Sequence, residues 1–268
     1  MDPIIITLVC CAVLGVVVGL LAGMLGIGGG VIIVPALSYL LVHLHDMDAS
    51  IVMPVAVATS LSTIIFTGAS SAFAHYKLGN LRKHIVLYTG IGIAVGAIIG
   101  AQVASHIDGD LLRHIFAGLV ILIALQMIFG KTRESATPAT PSILITAGGG
   151  TGIISALMGI GGGAVLVPAL VWFKVNMRHA IGCAALGGMV IAVFGTLSFI
   201  IAGLGKVNLP AGGLGFVYLP ATAGIVATSI FTASIGARLG QKVNTKFLKR
   251  LLATLLVVVS IRMIAGIE

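Results

Sequence analysis

Two glycine runs, Gly26-Ile27-Gly28-Gly29-Gly30 and Gly159-Ile160-Gly161-Gly162-Gly163, each interrupt a long apolar stretch. Each is followed at the same distance by Val-Pro-Ala-Leu, at Val34 to Leu37 and at Val167 to Leu170. Consecutive glycines let the backbone leave a helix and approach a ligand closely, at about 1 kcal/mol each relative to alanine in a helix. Pro35 and Pro168 fit the first turn of a new helix, where a missing N–H loses no partner, so new helices are expected near Ile32 and Val165. The N–H groups of Gly28, Gly29, Gly30 and Val31, and of Gly161, Gly162, Gly163 and Ala164, would then be free at two helix starts whose dipoles favour negative charge. The chemistry such a pattern can do is anion binding. Two other readings compete. Packing glycines recur every four residues, as Gly15 and Gly19 do and as Gly92, Gly96 and Gly100 do, whereas three in a row serve no such face. Gly159-x-Gly161-x-x-Ala164 also fits a permissive dinucleotide pattern, but no strand precedes it and Ala184 stands near where the ribose-binding acid belongs.

Hydroxyls that could complete the site are Thr59, Ser60, Ser62 and Thr63, unless they only bond carbonyls of their own helix. The corresponding Gly182-Cys183-Ala184-Ala185-Leu186 lacks them, so a ligand would be held asymmetrically. Gln102 and Gln126 are the other amides in mid-segment. All seven carboxylates, Asp2, Asp46, Asp48, Asp108, Asp110, Glu134 and Glu268, fall in loops or at termini. A cationic ligand and an Asp/Glu proton path are therefore disfavoured, leaving an anionic or neutral substrate. If protons are coupled, His75 is the nearest titratable candidate, with His179 the second. His43-x-His45-Asp46-x-Asp48 reads as a solvated loop rather than a metal site, because positions i and i+2 do not share a helical face. Cys10, Cys11 and Cys183 have no metal spacing and read as small packed residues. No nucleophile and base pair, cofactor motif or metal constellation stands out, so the pattern is not that of an enzyme.

The elements that must position these groups follow from composition. Of 268 residues, 59% are hydrophobic and 8% charged, with a mean hydropathy of +1.21. A soluble domain with so little polar residue could not cover itself, and the apolar runs match the length of membrane-spanning helices. The expected fold is all-α and polytopic, with the lipid bilayer as its solvent. The net charge of +8 sits in short loops and is no argument for nucleic acid. Ten segments can be drawn, at roughly 4–25, 29–44, 50–75, 85–105, 111–130, 142–159, 162–174, 179–203, 214–238 and 249–266. The second and seventh are the shortest. Met1-Asp2-Pro3 lacks a basic run, so the first segment is expected to stay as a helix rather than be cleaved.

Gly19 to Leu37 and Gly152 to Leu170 share ten of nineteen positions, so the chain is an internal duplication. The expected division is a first repeat at 1–130, a linker at 131–141 and a second repeat at 142–268. If each glycine-broken pair counts as two crossings or a re-entrant hairpin, the repeats are inverted. Twelve of the 15 basic residues then fall on one side and only Arg113, Lys206 and Arg262 on the other. Treating each pair as one broken crossing splits them seven against eight. The positive-inside rule selects the inverted arrangement, with the linker cytoplasmic and both termini outside. Glycine-broken segments at matching places in two halves point to a secondary transporter with its substrate where the halves meet.

The duplicated Gly-Ile-Gly-Gly-Gly with Val-Pro-Ala-Leu, and Ala58-Thr59-Ser60-Leu61 about 30 residues after the first copy, resembles the sulfite exporter TauE/SafE family of membrane transporters. The resemblance covers about residues 8 to 266. It implies movement of a small sulfur-containing anion, such as sulfite, thiosulfate or a sulfonate, across the bacterial cytoplasmic membrane. Matching positions are the two glycine runs, Pro35, Pro168, Thr59 and Ser60. A Thr-Ser pair often seen in the second half of this family is replaced here by Cys183-Ala184 or Ala184-Ala185, which leaves the substrate among these anions open. So do import or export, the coupling ion and the oligomeric state. A passive anion or small-solute channel is the alternative.

Overall fold

The computed structural model describes residues 3–25, 28–45, 47–129, 139–206 and 209–240, together with four helical positions at 254, 257, 260 and 263. Nine helices lie within the described stretches: α1 (Pro3–Leu25), α2 (Gly30–His45), α3 (Ala49–Lys77), α4 (Lys83–His106), α5 (Gly109–Phe129), α6 (Pro141–Met158), α7 (Gly163–Trp172), α8 (Met177–Gly203) and α9 (Leu219–Gly240). Each coincides within a few residues with an expected segment. The tenth segment contains the four isolated helical positions, and the linker at 131–141 lies mostly outside the described residues.

Among the described residues, six helices are long and apolar enough to cross a membrane. Their outward faces carry Ile5, Leu8, Val9 and Val13 on α1 and Leu87, Ile91 and Val95 on α4, as a lipid-facing surface requires. At about 1.5 Å per residue, the 10-residue α7 is about 15 Å long, half of a hydrocarbon layer of about 30 Å. The 16-residue α2 is about 24 Å.

Two long helix pairs dominate the packing. α1 lies along α9 and α6 lies along α4, so the first helix of each half packs on the fourth helix of the other. α3 and α8 cross between these pairs. The halves therefore interlock rather than sit side by side. Both outer pairs are built on glycine. A Cβ at Gly15 would meet the Thr228 hydroxyl and one at Gly19 that of Thr232, while Gly224 and Gly236 face the carbonyls of Leu8 and Leu20. On α4, Gly92 faces the Ile145 carbonyl, Gly96 that of Gly149 and Gly100 that of Ile153. The spaced glycines thus seat helices inside one subunit. Association in lipid lacks a hydrophobic drive, and close backbone approach supplies dispersion contact instead. Thr228 Oγ1 adds a bond to the Ala12 carbonyl across α1 and α9 at 2.7 Å.

One consequence is specific to a single helix. Gly92→Ala would push a methyl against the Ile145 carbonyl, whereas nothing lies within 4 Å of a Cβ at Gly90. Gly92→Ala is expected to destabilise by about 1–3 kcal/mol and Gly90→Ala to be neutral or stabilising. Thermal unfolding of the two purified variants checks this; equal midpoints would contradict the α4/α6 packing.

A short hairpin precedes α9 and was not expected from sequence. Strands β1 (Gly213–Leu214) and β2 (Val217–Tyr218) pair antiparallel. Gly215 opens the two-residue loop at φ 55, the left-handed conformation that such a loop favours. The hairpin is docked on the end of α8, where a Cβ at Gly203 would strike the Phe216 N.

Candidate functional site

The two glycine breaks meet. A Cβ on Gly28 would lie 3.1 Å from Gly161 Cα, and one on Gly30 would strike the Gly159 carbonyl oxygen. Backbone therefore touches backbone where α2 and α7 begin. The helices start at Gly30 and Gly163, two residues before the expected Ile32 and Val165. Gly29 O accepts from Ile32 N at 3.0 Å and Ile33 N at 3.2 Å; Gly162 O accepts from Val165 N at 3.2 Å and Leu166 N at 2.7 Å. Pro35 and Pro168 are consequently inside their helices, each at the sixth residue rather than in the first turn. The glycines join the helix instead of ending before it, which moves each proline into the second turn, where it withdraws one helical donor.

Among the described residues, no acceptor is paired with the N–H of Gly28, Gly29, Gly30 or Val31, nor with that of Gly161, Gly162, Gly163 or Ala164. Among the described residues, the buried polar side chains are all Ser and Thr, and helix starts carry a positive dipole end.

The breaks differ despite identical sequence. Gly28 and Gly29 take φ 82 and 70, while in the second copy only Gly159 is positive, at 64, where it caps α6 in the left-handed conformation. Gly162 has φ −57. Their walls differ as well. Val18 Cγ1 on α1 faces Gly29, whereas the matching residue on α6, Thr151, faces Gly162.

Thr59, Ser60 and Thr63 are fully buried on α3 but already engaged. Thr59 Oγ1 accepts from Tyr218 N at 3.0 Å and anchors the hairpin. Ser60 Oγ donates to Gly159 O at 2.7 Å, bracing the second break from the first repeat. Thr63 Oγ1 donates to Ser60 O at 2.7 Å, within its own helix, and Ser62 Oγ likewise to Thr59 O at 2.6 Å. The buried hydroxyls without a partner among the described residues include two that sequence reasoning missed, Thr151 and Ser155 on one face of α6. Their i, i+4 spacing beside the second break was the available signal.

His75 is not brought to the glycine breaks. It lies twelve residues beyond Thr63 on α3, about 18 Å along the axis. Its Nδ1 faces Asn80 Nδ2 at 3.3 Å, and the Asn80 carbonyl accepts from His179 Nδ1 at 3.1 Å. Arg82 Nε donates to His179 Nε2 at 3.1 Å. Arginine can only donate and a carbonyl can only accept, so the two contacts fit the His179 tautomer with its proton on Nδ1. This cluster ties the α3–α4 loop to the start of α8. A second histidine cluster ties α1 and α2 to the hairpin: His45 Nε2 lies 2.9 Å from Thr7 Oγ1 and 3.2 Å from the Tyr218 hydroxyl. The solvated-loop reading of His45 is thereby corrected; its ring turns inward because Tyr218 and Thr7, both fully buried, need polar partners. The loop pattern could not show this, since both partners are remote in sequence.

Comparisons with known proteins identify the family. The model of the family described as sulfite exporter TauE/SafE matches residues 11–263. A probable membrane transporter protein of Haemophilus influenzae is 38% identical over 255 residues, covering 94% of this chain and 96% of its own. The probable membrane transporter protein YdhB of Bacillus subtilis is 31% identical, covering 69% of this chain and 76% of its own. A probable membrane transporter protein of Methanocaldococcus jannaschii is 26% identical, covering 94% and 93%. No solved structure matches the chain.

Proposed function

The chain belongs to the sulfite exporter TauE/SafE family of membrane transporters, and from that premise we propose that it is a secondary transporter of a small sulfur-containing anion, such as sulfite, thiosulfate or a sulfonate. The observation that carries this reading is the meeting of two glycine breaks, each with amides at a helix start that have no partner among the described residues, which also bury no charged side chain. Neutral N–H donors suit an anion and offer a cation nothing. The substrate is bound between the breaks, and the interlocked halves rock to expose it alternately. Direct contact of Gly28 with Gly161 is the closed arrangement, which separation of the halves must open. The two histidine clusters, on opposite ends of α3 and both bridging the halves, are suited to hold the site shut from either side.

The protein resides in the cytoplasmic membrane with both termini outside, on the argument of loop charge. A repeat at 1–130, a cytoplasmic linker at 131–141 and an inverted repeat at 142–268 is the division that this topology implies.

A channel is separated from a carrier by exchange. Proteoliposomes loaded with unlabelled sulfite or thiosulfate should accumulate the radiolabelled anion transiently against its gradient, and the rate should saturate. Flux that neither saturates nor shows counterflow would favour a passive channel, and no flux with any anion would defeat the transport reading.

A further inference from the structure

One ring nitrogen faces a hydroxyl from each half of the chain. His45, the last residue of α2, has Nε2 2.9 Å from Thr7 Oγ1 and 3.2 Å from the Tyr218 hydroxyl. Thr7 belongs to α1 and Tyr218 to the hairpin strand β2, and both are fully buried. An imidazole nitrogen has a single in-plane position, filled by a lone pair or by a proton, so it makes one well-aligned bond at a time. Which hydroxyl suits that bond depends on the charge of the ring. A phenol gives its proton readily and accepts poorly, because its oxygen lone pair is shared with the ring, whereas an aliphatic hydroxyl accepts well. A neutral Nε2 therefore suits the Tyr218 proton, and a protonated Nε2 suits Thr7 Oγ1.

Tyr218 is also tied to α3 through its backbone. Its N–H donates to Thr59 Oγ1 at 3.0 Å, and its carbonyl accepts from Thr222 Oγ1 at 3.2 Å. Thr222 Oγ1 in turn lies 2.7 Å from Ser62 Oγ, and Ser60, next to Thr59, donates to Gly159 O at the second break. A run of hydrogen bonds thus leads from His45 through the hairpin and α3 to the glycine contact. The titratable and charged groups around the ring are few. α2 packs on α3, α1 and α6. Among the described residues, α6 carries no ionisable side chain and α1 only Cys10 and Cys11. α3 offers the exposed Asp48 at its N-cap and keeps His75, Tyr76 and Lys77 at its far end. The hairpin offers Tyr218, and His43 on α2 itself is turned to the Tyr39 carbonyl.

We propose that His45 is the positioning residue that makes release of the hairpin depend on a proton. The neutral ring accepts from the Tyr218 hydroxyl and joins the halves. A proton taken up from the water at this end of the molecule turns the Nε2 bond to Thr7, frees Tyr218 and lets the hairpin lift from α3. Hydroxyl partners can follow such a change, whereas the guanidinium that faces His179 at the opposite end can only donate. The role of the latch in transport rests on the transport reading, and it places proton dependence at His45 rather than at His75.

Hydrogen exchange of the purified full-length protein tests this, with the segment 214–219 followed between about pH 7.5 and about pH 5.5 and rates corrected for intrinsic chemical exchange. In the wild type, protection of that segment should fall at least about tenfold on acidification. His45→Gln keeps a side chain that can donate or accept but takes up no proton in this range, so the fall should vanish while the other histidines still titrate. Tyr218→Phe removes the bond at either pH, so protection should be low throughout and insensitive to acid. It also provides the answer if His45→Gln does not fold. Wild-type protection that does not change with pH, or an acid-induced loss that persists in either folded variant, would overturn the latch. Counterflow of thiosulfate, an anion that does not titrate in this range, should depend on pH in wild-type proteoliposomes and be flat in His45→Gln. A wild type with the expected exchange behaviour but no counterflow of any anion would support the latch and defeat the transport reading.

Discussion

Gly30→Val should abolish transport and strongly destabilise the protein. Gly30 opens α2, and its missing side chain is what lets the Gly159 carbonyl and the Ile160 Cα come up against it; a Cβ would lie 2.9 Å from that Cα. Both obstacles are backbone, so no rotamer change relieves them. The valine must drive the two breaks apart, and the same movement strips Gly159 O from Ser60, leaving a buried carbonyl unsatisfied. Overpacking of about 1–3 kcal/mol and an orphaned acceptor of about 1–3 kcal/mol act together. Uptake by proteoliposomes should fall to the level of empty vesicles, and the thermal midpoint should drop. Normal uptake would mean that the breaks do not need to touch.

The second large effect separates two residues at identical places in the duplicated motif. Gly29→Ala is expected to destabilise by about 2–5 kcal/mol, because φ 70 disfavours any side chain and its Cβ collides with Val18 Cγ1. Gly162→Ala is expected to remain within about 1 kcal/mol of wild type in ligand-free stability. Its φ is −57, and the nearest atom to a new Cβ is the Ile191 Cδ1 terminus at 2.8 Å, which can swing aside. Side-by-side thermal or denaturant unfolding measures the difference. Equal losses would show that the two breaks have the same conformation, contrary to their dihedral angles.

Most of the fold was legible in the sequence, for a simple reason. Lipid forbids unsatisfied backbone, so apolar run length alone locates the helices to within a few residues. The spaced glycines were legible as packing faces, but not their partners, because Gly92 and Ile145 are joined only by tertiary structure. The hairpin at 213–218 was hidden by its apolar composition, although Gly212 and Gly215, both at positive φ, disfavour a helix there. At the site, the glycine runs marked where the helices break, but the prolines did not mark the first turns. The helix starts could not be read as well, because glycine tolerates both helical and left-handed φ and only neighbours decide which is used. Gly29 is pressed by Val18 and Gly162 by an isoleucine terminus, which no local pattern encodes. The hydroxyls of Thr59, Ser60, Ser62 and Thr63 cluster on α3, but all four are spent on helix, hairpin and break. Thr151 and Ser155 offered only their i, i+4 spacing, and their unpaired burial among the described residues is what sets them apart from the hydroxyls of α3.

Location of the anion is the most direct test of the central claim. Selenite, a heavier relative of sulfite with a strong anomalous signal, can be soaked into crystals of the protein after it has been shown to compete with sulfite. The account predicts one anomalous peak bounded by the amides of Gly28 to Val31 and Gly161 to Ala164. A peak in another part of the molecule, from an anion that competes with the transported one, would contradict it.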